Sequence, residues 1–124
     1  MKIKKLDHIV ITTANLERCL DFYVGLLGME LDDSNGRYAV KFGEQKINIH
    51  RKKAEFLPAA FRVTYGSQDI CLIAEGEIEE IEAELRAKNV EIELGVVKRT
   101  GACGSISSIY LRDPDKNLIE ISTY

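Results

Sequence analysis

The sequence of 124 residues has no tryptophan, only two prolines and three cysteines, and no excess of positive charge. Each shortage removes a class of protein. An odd number of cysteines, with no C-x-x-C pair and no pair at zinc-finger spacing, argues against both a disulfide framework and a structural zinc. Cys19 falls in a helical apolar pattern and Cys71 in a strand, so both read as small hydrophobic residues, whereas Cys103 stands in the glycine-flanked loop "TGACGS", where a thiol can be exposed. Seventeen Lys and Arg against twenty Asp and Glu give a net charge of −3. Without a basic stripe to neutralise phosphates, nucleic acid is not an expected partner. No stretch approaches the roughly 20 apolar residues of a membrane span. The opening "MKIKKLDHIVITT" passes from lysines straight into alternation, with no apolar core or small-residue cleavage site. A signal peptide is therefore not expected, and a cytoplasmic location is.

What the sequence does have is hydrophobic patterning. A 45% share of hydrophobic residues over this length suits one domain with one core. "LDHIVITT" predicts a strand, and Asn15 is a suitable N-cap for a helix carrying Leu16, Cys19, Leu20, Phe22, Tyr23 and Leu27 at helical spacing, with Gly28 ending it. Gly25, inside that helix, marks either a close backbone approach or a fraying end. "MELDD", "YAVKF" and "KINIHRK" follow as strands around the turns "SNGR" and "GEQ". "KAEFLPAAFRVTYGSQ" has Pro58 and no clean period, so it reads as a connection. The order then restarts: strand "DICLIAE", an acidic helix over "EIEEIEAELRAKN" with Ile78, Ile81 and Leu85 inward, and strands "VEIELGVV", "SISSIYLRD" and "NLIEISTY". The expected fold class is α+β, two tandem βαβββ modules within a single domain, 1–124. Module one takes 1–54, a linker 55–67, and module two 68–124.

Strand faces locate the candidate chemistry. With period two, His8 shares a face with Val10 and Thr12, and Asn48 shares one with His50. Asp69 and Cys71 lie opposite Ile70 and Leu72, and Glu120 lies opposite Ile119 and Ile121. A sheet with one solvated face alternates in this way as a matter of course. Yet both histidines of the chain and a mid-strand carboxylate fall on these polar faces, and imidazole with carboxylate suits a borderline or hard divalent ion. Lys98 and Arg99, before a glycine-rich loop, could meet an acidic substrate. Tyr38, Phe56 and Tyr65 are candidates for pocket or core. The aspartates around Pro114 are explained by turn chemistry.

"LDHIVITTANLERCLDFYVGLLGMEL", followed at a distance by "IYLRDPDKNLIEI", resembles the vicinal oxygen chelate superfamily of glyoxalase I, fosfomycin- and bleomycin-resistance proteins, extradiol dioxygenases and methylmalonyl-CoA epimerase. "KINIHRK", "GSQDICLI" and "VVKRTGACGSISSIY" look most like its glyoxalase-domain-containing subgroup, sometimes described as virulence-associated. The resemblance implies paired βαβββ modules forming a curled open mixed sheet around a metal, helices outside, commonly in a homodimer. It implies a divalent ion (Zn, Ni, Mn, Co or Fe) with His8 and Glu120 matching two recurrent ligands. The other two positions fall on Asn48 and Asp69, where the family frequently has Glu or Gln and His. His50, on the Asn48 face, could replace that ligand or contact substrate beside Arg99. The function implied is a metal-dependent isomerase or lyase acting on a small oxygenated metabolite, with Glu120 or Asp69 as base. The alternative is a non-catalytic, bleomycin-resistance-like module that binds a small molecule. Lys116 stands where the family often has glycine.

Overall fold

Isoleucines at every second position, Ile9 and Ile11 in β1 (His8–Thr12) and Ile47 and Ile49 in β4 (Gln45–His50), drive two strands; β3 (Tyr38–Phe42) and short β2 (Glu30–Asp32) complete a sheet ordered β1-β4-β3-β2. The computed structural model describes residues 1–124 and divides into two compact units, Met1–Ser67 and Gln68–Tyr124. In the first, β1 and β4 run parallel with Ile9 facing Ile47 and Ile11 facing Ile49, while β3 lies antiparallel with Val40 facing Ile47. Ile11, Val40, Ile47 and Ile49 are buried. Burying each such side chain contributes roughly 1.5–3 kcal/mol, which fixes the register because a one-residue slip would turn the whole set to the other face.

The parallel β1–β4 pair needs a crossover, and α1 (Leu16–Leu20) begins it. Asn15 caps this helix as expected, its side chain accepting from the Arg18 N–H at 3.0 Å. The helix differs from expectation past Leu20. Residues Asp21–Leu26 wind as a π-helix, in which the Leu27 N–H reaches the Phe22 carbonyl at 3.0 Å. Cys19, Phe22 and Tyr23 are all buried, with the two aromatic rings edge to face at 5.0 Å. Gly25 marks no close approach, since a Cβ there would meet nothing within 4 Å. Gly28 ends the crossover at φ +73°, a conformation costly to other residues.

The second unit repeats the plan. Strands β5 (Asp69–Ile73), β6 (Leu94–Gly101), β7 (Gly104–Arg112) and β8 (Leu118–Thr123) are ordered β5-β8-β7-β6, again with one parallel pair, β5 with β8. The crossover holds α2 (Ile78–Ala87), which buries Ile78 and Leu85 and carries a Glu82–Arg86 ion pair whose glutamate is largely covered. The sequence pattern misplaces β6. "VEIELGVV" alternates from Val90, but the strand starts at Leu94, shifts register against β7 between Leu94 and Val97, and runs on through Lys98, Arg99 and Thr100 to Gly101. Those cations therefore sit on the strand itself, ahead of its turn into β7. Two open four-stranded mixed sheets, each with its own crossover, make this a glyoxalase-like α+β fold of two βαβββ modules. No helix is long and apolar enough to cross a membrane.

Candidate functional site

In the first unit the register sets one polar row across the sheet. Val10, Asn48, Ala39 and Asp32 are successive cross-strand partners, flanked on one side by Thr12 and His50 and on the other by His8 and Lys46. A cavity of about 220 Å³ opens on this face, and its lining includes Asp32, Arg37, Lys46, Asn48, His50 and Phe56. Phe56, from the connection after β4, organises it. The His50 ring meets the Phe56 ring edge-on at 5.1 Å, and the Arg37 guanidinium lies 4.2 Å from the centre of the Phe56 ring. Asp32 accepts from the Ser34 hydroxyl at 2.7 Å and the Ser34 N–H at 3.1 Å, and those bonds hold its carboxyl below the usual carboxylate range.

Two expected residues, Asn48 and His50, thus meet in one cavity. His8 shares their sheet face but does not line it. Its Nδ1 lies 2.7 Å from Asp7 Oδ1, at a half-exposed position, and this contact is the main reason the Asp7 carboxyl titrates low. A proton held on Nδ1 leaves Nε2 as the free acceptor of the ring.

In the second unit Cys71, Glu120 and Tyr110 form a cross-strand row, with Asp69 and Ser122 on the same face. Ser122 is the hub. Its hydroxyl is 3.2 Å from Glu120 Oε1, to which it donates, 2.8 Å from Ser108 Oγ and 3.4 Å from Cys71 Sγ. Burial pushes the Cys71 thiol up, and the charges of Glu120 and Asp69 push it further, against the Ser122 hydrogen bond. Arg99 is tied to this face, donating from Nε to the Tyr110 hydroxyl at 3.0 Å. Glu120 therefore stands in a half-buried, hydrogen-bonded setting, while Asp69 is exposed.

The donors fit a resident metal only in kind. Two imidazoles, an amide oxygen and two carboxylates are suitable ligand types; His8, Asn48 and His50 stand in the first unit and Asp69 and Glu120 in the second. No three His, Cys, Asp or Glu side chains are grouped to hold an ion.

Sequence reasoning missed Arg37 and Lys46, because neither falls in a motif; only the register and the Phe56 contact bring them to Asn48 and His50. Phe56 and Tyr38 line the cavity, whereas Tyr65 packs near Lys53.

Paired βαβββ modules with polar groups on one face of each sheet define a glyoxalase-like protein. The chain belongs to the Glyoxalase/Bleomycin resistance protein/Dioxygenase superfamily, whose profile matches residues 5–121. It is 44% identical over 124 residues to the glyoxalase domain-containing protein RDO1 of Mycosarcoma maydis, covering 100% of this chain and 70% of that protein. It is 44% identical over 125 residues to the virulence protein STM3117 of Salmonella typhimurium, covering 100% of this chain and 87% of that one. The crystal structure of STM3117 superposes with a TM-score of 0.96 over 100% of this chain and 99% of the other. An integron cassette protein of V. cholerae, VCH_CASS1, is 46% identical with a TM-score of 0.95, over 100% of this chain and 98% of its own.

Proposed function

We propose that this chain is a glyoxalase-like protein that binds a small oxygenated metabolite in the cavity of its first unit, as a sequestering module in the manner of bleomycin-resistance relatives. The observation that carries this reading is the cavity itself: about 220 Å³, with an aromatic wall, two cations, an amide and an imidazole. Ligand sites combine an apolar wall with a few placed polar groups, and this volume lies below the roughly 300 Å³ where drug-sized ligands begin. A small ligand follows. Membership of the superfamily supports it.

A second reading, a metal-dependent isomerase or lyase, is favoured by one contact. Asp7 on Nδ1 of His8 orients the ring and leaves Nε2 free, as the outer carboxylate of a ligating histidine does. In that reading Glu120, or Asp69, takes a proton from the substrate as general base, with Ser122 holding the Glu120 carboxylate. His8, Asp69, Glu120, and Asn48 or His50 are its proposed ligands, and Arg99 and His50 its proposed substrate contacts. Elemental analysis of gently purified protein, beside His8→Ala and Glu120→Gln, separates the two. Stoichiometric metal lost from both folded variants supports the enzyme; wild-type protein purified without metal supports the binder. Either function is proposed to operate in the cytoplasm and in a homodimer, which light scattering of the purified protein tests.

A further inference from the structure

The cavity contains two cations, Arg37 and Lys46, against one acid, Asp32. Neither cation takes part in any ion pair of the chain. Asp32 remains an anion, held by two hydrogen bonds from Ser34, and Lys46 acts on it and on Asp7 only at longer range, so the lining keeps a surplus of one positive charge. Arg37 has committed only the face of its guanidinium, which stacks on Phe56 at 4.2 Å. Stacking of this kind uses the π surface and leaves the N–H edge free, and that edge matches two oxygens of a planar anion. Lys46 adds a compact second charge, and Asn48 can add a neutral donor beside it.

We infer that Arg37 and Lys46 form an oxyanion anchor, so that the small molecule taken by this cavity carries a carboxylate or phosphate group. The inference rests on the proposal that the cavity is a binding site, and it narrows that proposal to anionic ligands. The guanidinium fork supplies orientation and the lysine supplies charge. Phe56 and His50 form the wall against which the rest of the ligand packs, and the size of the cavity limits that remainder to a few atoms.

The test uses three probes that differ in charge and source: glycolate, inorganic phosphate and ethylene glycol. Glycolate and ethylene glycol both carry vicinal oxygens, but only glycolate is charged. Each is titrated at constant ionic strength into the full chain while the Arg37 Nε–H and Asn48 side-chain amide resonances are followed by NMR. Saturable shifts with glycolate or phosphate, weakened about tenfold or more in Arg37→Gln and several-fold in Lys46→Gln, support the anchor; the stronger of the two probes identifies the source. Arg37→Lys keeps the charge without the fork and guards against a variant that fails to fold. It should bind more tightly than Arg37→Gln and more weakly than wild type. Equal titrations in wild type and Arg37→Gln overturn the inference. Saturation by ethylene glycol with no added affinity for glycolate or phosphate also overturns it, while leaving the cavity as a binding site. If no probe moves those resonances, the anchor and the binding proposal fall together.

Discussion

Cys71 and Glu120 are direct cross-strand partners in the parallel β5–β8 pair, and the hydroxyl of Ser122 lies within reach of both. A thiol placed beside a carboxylate and partly shielded from water resists ionisation.

Two consequences can be measured. Cys71 and Cys103 are both exposed, but the Cys71 thiol is pushed up, so alkylation at pH 8 by iodoacetamide, read by peptide mass spectrometry, should modify Cys103 before Cys71 and leave buried Cys19 intact until the chain unfolds. Stability should also respond to alkaline pH. The raised folded pKa means that the folded thiol keeps a proton which the unfolded chain loses, so the contribution is whole below the ordinary thiol pKa of about 8.5 and disappears as pH rises through the folded value. Urea denaturation of wild type against Cys71→Ala should therefore show the difference in stability moving against wild type above about pH 8.5.

Asp113 and Asn117 form the most tightly bonded turn of the second unit. Asp113 accepts from the N–H groups of Asp115 and Asn117, each at 2.9 Å, and from Asn117 Nδ2 at 2.8 Å; Asn117 Oδ1 accepts from the Gln68 N–H at 2.9 Å, tying the turn to the start of β5. Both side chains are buried, at 2% and 1% exposure. Asp113→Ala would orphan several buried donors at once, so a loss of at least about 2–3 kcal/mol is expected in urea denaturation. Arg112→Ala, on the exposed side of the same turn, should move the denaturation midpoint far less, because solvent screens its ion pair with Glu93.

That turn also indicates what a sequence can disclose. "DPDKN" is legible as a turn because its chemistry is local, and the βαβββ repeat is legible because alternation and helical period are local too. The π-helix at Asp21–Leu26 is not legible, since Cys19, Phe22 and Tyr23, spaced i, i+3 and i+4, share one face of an ordinary helix and signal nothing of the wider winding. The start of β6 is not legible because "VEIEL" alternates whether or not a partner strand pairs with it, and the first bond to β7 is the one from the Glu93 N–H to the Tyr110 carbonyl. The faces of Asn48, His50 and Glu120 follow from period two. That Arg37 stacks on Phe56 in the Asn48 cavity depends on contacts 19 residues apart in a turn and an irregular connection, where no period applies.

Gly101 closes β6 against the chain's last residue. A Cβ there would stand 2.7 Å from the Tyr124 hydroxyl and 2.9 Å from Ile106 Cγ2. The same Tyr124 hydroxyl accepts from the Cys103 N–H at 3.0 Å, so the tyrosine cannot swing aside without releasing the β6–β7 turn. Ile106 is buried and has little room to yield. Gly101→Ala should lose about 1–3 kcal/mol by overpacking. Combining it with Tyr124→Ala should recover only part of that loss, because the Ile106 contact remains; denaturation midpoints of the two variants decide it.

Lys116 offers the opposite case, a substitution expected to stabilise. It occupies the tip of the Asp113–Asn117 turn at φ +73°. A left-handed backbone costs an ordinary L-residue roughly 1–2 kcal/mol, whereas glycine adopts it freely and gives back part of that gain through its larger unfolded-state entropy. The lysine's own bonds in the turn are made by its backbone: its N–H donates to the Asp113 carbonyl at 3.0 Å, and its carbonyl accepts from Arg112 Nη1 at 3.1 Å. Glycine preserves both. Lys116→Gly should therefore stabilise the chain by about 0.5–1 kcal/mol, visible as a raised denaturation midpoint at unchanged m-value. Lys116→Ala, which keeps the Cβ and its strain, should leave the midpoint near that of wild type. This contrast separates backbone strain from any effect of removing the positive charge, since both variants lose the ammonium group and only one loses the Cβ.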